Sequence, residues 1–98
     1  MLVVGERDVS PATFAVYDIR TPTARRTAER RLHEAGDTQD LTFTADGKNV
    51  ILASGSPYYH QVLRTSDLAD AGRYPASAYP NAVAVAADGA VAAGVDSR

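Results

Sequence analysis

This 98-residue sequence has no cysteine and no tryptophan, only two histidines, and a net charge of −2. The lack of cysteine excludes disulfide bonds, thiolate zinc sites and a thiol nucleophile, but it does not establish the cellular compartment. The small charge excludes an overall basic field that would attract nucleic acid. No apolar run approaches the roughly 18 residues of a membrane-spanning helix, so we expect no membrane span. The length allows one small domain.

The sequence does contain an internal repeat. Residues 40–47 read DLTFTADG and residues 82–89 read AVAVAADG, an offset of 42 residues. A second apolar run follows each segment, over residues 49–53 and 90–93. The opening residues 2–5, LVVG, resemble this second run. A period of this size is typical of repeat architectures, so we expect one structural unit per repeat.

Each repeat predicts a β-hairpin. Leu41 and Phe43 alternate with threonines, which is the period of a strand with one apolar face. Asp46 and Asp88 are each followed by glycine, and such Asp-Gly pairs suit a tight hairpin turn, so we interpret both aspartates as turn residues. The run after each turn is continuously apolar, as expected for a strand covered on both faces.

Further strand-like segments lie between the hairpins. Residues 13–17 read TFAVY, residues 61–65 read QVLRT, and residues 74–78 precede a Pro-Asn turn signal. We name the four strand positions of one repeat a, b, c and d. The chain then predicts about nine strands in the order b, c, d, a, b, c, d, a, b.

The segment 23–36, TARRTAERRLHEAG, allows two interpretations. Its composition favours a helix, with Gly36 as the residue that ends it. The repeat instead predicts strand d within residues 26–32. We adopt the strand, because pairing with neighbouring strands often overrides local propensity. The four arginines of this segment are interpreted as a solvated face, since no aromatic or glycine-rich neighbours indicate phosphate binding.

A family resemblance rests on segments 39–48 and 80–89. They resemble the inner strand and following Asp-Gly turn of WD40-like and YVTN-type β-propeller repeats, with Ala in place of the family's Pro. Residues 16–18, VYD, resemble the third-strand ending, with Tyr17 where WD40 repeats carry Trp. The Gly-His and Trp-Asp signatures of WD40 repeats are absent. The resemblance implies an all-β fold of antiparallel four-stranded β-propeller blades, here a partial propeller.

Three units follow from this resemblance, within a single partial propeller domain over residues 1–98. Residues 1–21 form a partial blade, residues 22–68 a complete blade and residues 69–98 another partial blade. A propeller takes about four to eight blades. We therefore expect the partners of this chain to be the remaining blades of a longer chain or, alternatively, further copies that close a ring. The resemblance also includes secreted bacterial proteins, which points to an extracellular location.

One end of the blades is the predicted ligand-binding face. Turns alternate between the two ends of antiparallel strands, so the b–c and d–a segments share one end. Tyrosine and histidine there supply amphipathic recognition surface, although the tyrosines could instead pack against a neighbouring blade. The tight Asp-Gly turns at the other end are expected to offer little surface. The predicted face consists of Asp37, Asp40, Tyr58, Tyr59, His60, Tyr79 and Asn81.

We predict no catalytic residues, no metal site and no cofactor. Ser54 and Ser56 do not form the G-x-S-x-G elbow, and neither a phosphate-binding glycine loop nor H-E-x-x-H is present. A metal site could be drawn from His33 and the carboxylates of residues 34–40, but a polar loop is the simpler interpretation.

The sequence leads to two functional hypotheses. The first is a non-catalytic interaction scaffold that binds a protein or a glycan through the b–c and d–a loops. The alternative is a fragment of a propeller enzyme, such as a lactonase or a quinoprotein dehydrogenase, whose blades these resemble. His33, Asp40 and His60 are then the candidate functional residues. Binding of nucleic acid is not expected.

Overall fold

The computed structural model of the chain describes residues 1–6, 11–32, 38–54, 59–75 and 80–95. These segments contain nine strands in the predicted order, and none of them contains a helix that could cross a membrane. The strands are β1 (Leu2–Gly5), β2 (Ala12–Asp18), β3 (Arg25–Leu32), β4 (Thr38–Phe43), β5 (Asn49–Ser54), β6 (Tyr59–Arg64), β7 (Asp70–Pro75), β8 (Pro80–Val85) and β9 (Val91–Val95).

The segment with helical composition forms strand β3, as the repeat predicts. β3 pairs antiparallel with β2 along its whole length, from Ala12 opposite Leu32 to Asp18 opposite Arg25. An isolated helix of this length is marginal in water, and helix propensities differ by only about 0.7 kcal/mol per residue among ordinary residues. Pairing of the backbone with β2 and burial of Leu32 therefore decide the conformation.

The strands form three antiparallel sheets, which confirms the all-β antiparallel fold. The first sheet is β1-β2-β3, the second is β4-β5-β6-β7 and the third is β8-β9. The predicted division into blades at residues 1–21, 22–68 and 69–98 stays a prediction. Strand β3 bonds to the first sheet, and the four-stranded sheet covers residues 38–75. The length of a sequence repeat does not determine which strand is the first of each sheet, because that depends on which strands are hydrogen-bonded to each other.

The main core lies between the first and second sheets. Val50 and Leu52 of β5 face the first sheet, and by strand alternation Ile51 and Ala53 point the other way, where β8 contacts β5. All four side chains are buried, so the apolar run of β5 is covered on both faces as predicted, whereas Val91 in the corresponding run of β9 is 40% exposed. The core residues are Val3, Ala12, Phe14, Val16, Leu32, Val50, Leu52, Leu63 and Leu68.

The two Asp-Gly turns have the same construction. Gly47 and Gly89 have φ values of 72° and 91°, the left-handed region that glycine adopts without strain. Each glycine N–H donates to the carbonyl three residues earlier. Oδ1 of Asp46 and of Asp88 accepts the N–H two residues later. These bonds confirm the interpretation of both aspartates as turn residues.

Candidate functional site

Residues of the predicted ligand-binding face meet where the third sheet packs on the second. Asp40 lies on β4, Tyr59 and His60 begin β6, and Asn81 is the second residue of β8. The structure therefore brings four predicted residues to one region of the fold. The other sequence candidates lie outside the described residues: His33, Asp37, Tyr58 and Tyr79.

Asp40 connects two sheets. Its Oδ2 accepts the backbone N–H of Val83 at 3.1 Å, and its Oδ1 accepts the N–H of Leu41 at 2.9 Å. The pairing of β4 with β5 shifts register between Thr38 and Asp40. Such a bulge re-aims the side chains of its strand. Both oxygens of the Asp40 carboxylate are thus engaged by backbone donors.

His60 contacts the same peptide unit of β8. Its side chain is almost fully buried, with 3% exposed, and Nε2 lies 3.2 Å from the carbonyl oxygen of Ala82. A carbonyl only accepts hydrogen bonds, so Nε2 carries the proton. Asp40 binds the N–H and His60 the C=O of the peptide group that joins Ala82 to Val83. We call this arrangement the 82–83 clamp; it fixes β8 between strands β4 and β6.

Asn81 sits in a second bulge, at the equivalent place in the next repeat. The pairing of β8 with β9 shifts register between Pro80 and Ala82, as the pairing of β4 with β5 does 42 residues earlier. Asn81 is exposed. The 82–83 peptide follows this bulge directly, where Ala82 and Val83 pair with Gly94 and Ala93 of β9.

At this end of the fold, Arg73 and Tyr74 of β7 are exposed and Tyr59 of β6 is half-buried. The guanidinium carbon of Arg73 lies 4.4 Å from the centroid of the Tyr59 ring, a cation–π contact. Tyr74 is 50% exposed on β7, the edge strand of the second sheet, and by strand alternation it points to the opposite face from Arg73. We call these residues the Tyr–Arg patch. The strand-like segment predicted at residues 74–78 includes Tyr74 but not Arg73, because β7 begins earlier, at Asp70.

An open cleft of about 490 Å³ lies at the opposite end, between the two Asp-Gly turns. Each turn is tight, as expected, yet the second and third sheets leave space between their turns. The Lys48 N–H and the Thr44 hydroxyl lower the pKa of Asp46 by hydrogen bonding to its carboxylate. The described residues contain no group of three potential metal ligands. The cleft is lined by Thr44, Ala45, Asp46, Asn49, Ala87, Asp88 and Gly89.

Comparison with protein-family models, with curated proteins and with solved structures found no match to this chain. Its all-β character therefore rests on the three antiparallel sheets and their pairing. The resemblance to WD40-like and YVTN-type repeats stays a prediction from the residues that carry it.

Proposed function

We propose that this chain is a non-catalytic interaction scaffold of stacked β-propeller blades that binds a protein partner through the Tyr–Arg patch. The observation that carries the proposal is the exposure of Arg73 and Tyr74 on β7, the edge strand of a paired sheet. Tyr59, Arg73 and Tyr74 are held by the antiparallel pairing of β6 with β7. Binding residues are often presented in this way, on a rigid scaffold near loops.

The repetition of local structure supports the blade interpretation. The hairpins β4–β5 and β8–β9 share an Asp-Gly turn and a bulge at equivalent positions. The second sheet has four antiparallel strands in chain order and is covered by a sheet on each face. Stacked four-stranded sheets of this kind are the unit from which propellers are built.

The clamp favours a scaffold over the alternative enzyme, whether a lactonase or a quinoprotein dehydrogenase. A general base must reach the proton that it removes from a substrate. His60 is buried and bound to Ala82, and both oxygens of Asp40 accept backbone N–H groups. The two described candidates for catalysis therefore serve to join sheets.

Residue type favours a protein over a glycan as the ligand. Tyrosine and arginine are the side chains that dominate protein–protein hot spots, together with tryptophan. Arg73 adds five fixed donors that suit carboxylate groups of a partner. We therefore expect a peptide segment with exposed acidic side chains to be the preferred ligand.

A selection experiment tests this function. A displayed peptide library is panned against the immobilised chain, and a glycan array is probed with the same protein. We expect peptide binders whose affinity falls at least about tenfold in Arg73→Ala or Tyr74→Ala, because a hot spot contributes about 2 kcal/mol or more. Arg64→Ala is the matched control, since Arg64 is also exposed but lies at the other end of β6.

Other outcomes would contradict the proposal in different ways. Binders that are insensitive to both patch substitutions would remove the Tyr–Arg patch as the site. Patch-dependent binding on the glycan array alone would replace the protein partner by a glycan. Turnover of a lactone that is lost in His60→Ala, with the fold retained by circular dichroism, would support the enzyme instead.

A further inference from the structure

The stack of three sheets has two outer faces that no other described segment covers. One is the face of the first sheet that points away from the second. Leu2 and Val4 of β1 lie there with 45% and 47% of their surface exposed. Opposite them on β2 lie Tyr17 and Ala15, which extend the same face. β3 adds Arg26 and Glu29 to this face, opposite Tyr17 and Ala15. Exposed apolar side chains grouped on one face of a sheet are typical of an interaction surface.

The repeat shows what covers this face elsewhere in the molecule. Leu2 and Val4 hold the positions in strand b that Val50 and Leu52 hold in β5, as the likeness of residues 2–5 to the run 49–53 indicates. Val50 and Leu52 are fully buried because the first sheet packs on them. The equivalent side chains are therefore covered by a neighbouring sheet in β5 and exposed in β1.

The other outer face belongs to the third sheet and consists of small residues. Ala82 and Ala84 of β8 are exposed there, and Gly94 of β9 lies opposite Ala82. Gly94 is the fourth residue of its strand, as Gly5 is of β1. At Gly5 a large side chain of the next sheet fills the space, since Cδ2 of Leu41 lies 2.8 Å from an ideal Cβ position.

At Gly94, no side chain of another described sheet fills the corresponding space. An added Cβ at Gly94 would meet only Ala82 and Asn81 of its own sheet, both at 3.5 Å. The small residues of the third sheet thus match the large side chains of the first sheet in size. The second sheet lies between these two faces, so they cannot cover each other within one chain.

We propose that the outer face of the first sheet in one copy of this chain packs on the outer face of the third sheet in a second copy. The contact continues the stacking direction already present between the three sheets. It is heterologous, because two different surfaces meet, and it generates rings or open chains of copies. This inference does not involve the Tyr–Arg patch and stands independently of the proposed function.

Light scattering across a range of protein concentrations tests for the contact. We expect a mass that rises above the 10.4 kDa of one chain as concentration increases. Val4→Glu should return the mass to one chain, because it places a charge in the contact. Tyr74→Glu is the matched control: Tyr74 is equally exposed, at 50%, but lies on neither outer face. Circular dichroism confirms that each variant folds.

Crosslinking tests the head-to-tail arrangement and uses the absence of cysteine from the natural chain. Ala15→Cys and Ala84→Cys each place one thiol on one outer face. With a short bismaleimide reagent, we expect crosslinked dimers when the two variants are mixed and none when either is treated alone.

Three results would overturn the inference. These are a single-chain mass at every concentration, a larger mass that Val4→Glu leaves unchanged, or crosslinks that form only between identical variants. None of them would affect the peptide-binding test, so failure here is distinguishable from failure of the proposed function.

Discussion

Leu68 combines two opposing effects at a single residue. It is the described non-glycine residue with a positive φ, 59°, and its side chain is fully buried in the main core. The turn after β6 imposes this conformation, since the Leu68 N–H donates to the Arg64 carbonyl. A left-handed conformation costs a non-glycine residue about 1–2 kcal/mol, whereas truncation of a buried leucine costs about 2–5 kcal/mol. Burial therefore outweighs strain at this position.

Leu68→Gly should lower the free energy of unfolding by roughly 1–3 kcal/mol, which is the difference between the two effects. Denaturant titration followed by circular dichroism measures this change. Ser66→Gly, at an exposed position of the same turn, controls for added chain flexibility. A Leu68→Gly variant as stable as the parent chain would show that the core closes over the lost side chain.

The Arg64–Asp67 ion pair in the same turn makes stability depend on pH. The Arg64 guanidinium, and secondarily the Ala69 N–H, lower the pKa of Asp67 to about 2. The pKa of an unperturbed aspartate is about 3.9, so folding binds fewer protons at this site. The stabilisation is present above about pH 4 and is lost as the pH falls through about 2.

Asp67→Asn should therefore flatten the dependence of the melting temperature on pH between about pH 4 and pH 2. The amide oxygen of asparagine still accepts the Ala69 N–H, so the turn itself is retained. Arg64→Gln should produce the same flattening, because it removes the other partner. The effect is small, since the pair is exposed, and 1 M salt should reduce it. An unchanged slope in both variants would contradict the pairing.

At the scale of the strand, Gly5 marks a close approach between the first and second sheets. An ideal Cβ at Gly5 would lie 2.8 Å from Cδ2 of Leu41 and 2.9 Å from the Phe14 ring. Phe14 is fully buried in the core and Leu41 packs against it, so an added methyl group would have to displace both side chains. Gly94, the fourth residue of its strand as Gly5 is of β1, meets neighbours only at ordinary contact distance.

Gly5→Ala should destabilise the chain by about 1–3 kcal/mol through overpacking, while Gly94→Ala should change stability by much less. Thermal unfolding at low protein concentration, where single chains predominate, measures both variants under the same conditions. Equal losses in the two variants would indicate that backbone conformation, and not contact between sheets, decides these positions.

Local patterns were sufficient to predict most of the strands, although the segment predicted at residues 74–78 shares only residues 74 and 75 with β7. The alternation at Leu41 and Phe43 predicts a strand, and the two Asp-Gly pairs predict hairpin turns. The repeat also decided correctly at residues 25–32, where helical composition competed with pairing. Each of these predictions needed only neighbouring residues or a fixed offset.

Contacts between distant residues were beyond such patterns. The 82–83 clamp joins Asp40 and His60 to a backbone peptide. Every residue has the same peptide group, so the sequence does not indicate which one these side chains bind. The grouping of strands into sheets depends on hydrogen-bond ladders, so the period of the repeat alone could not show that β3 bonds to the first sheet. The cleft between the turns depends on how the second and third sheets diverge.

At the scale of the whole molecule, polar contacts between described residues join the sheets at several points. Arg30 of β3 donates to the Leu68 carbonyl at 2.9 Å and to Asp70 at 2.8 Å, linking the first sheet to the second. The N–H of Thr38 donates to the Glu6 carbonyl at 3.1 Å. The third sheet has only two strands, and a two-stranded hairpin is marginally stable by itself. Its order therefore depends on the second sheet.

The 82–83 clamp should accordingly control the stability of the third sheet more than that of the others. Asp40→Ala leaves the buried N–H of Val83 without its acceptor, which costs about 1–3 kcal/mol. Amide hydrogen exchange should then accelerate over residues 80–95 by about tenfold or more, while protection of the second sheet persists. Asp40→Asn retains an acceptor oxygen and should preserve most of the protection. Uniform acceleration across all three sheets would instead mean that the stack opens as one cooperative unit, with the clamp contributing to global stability.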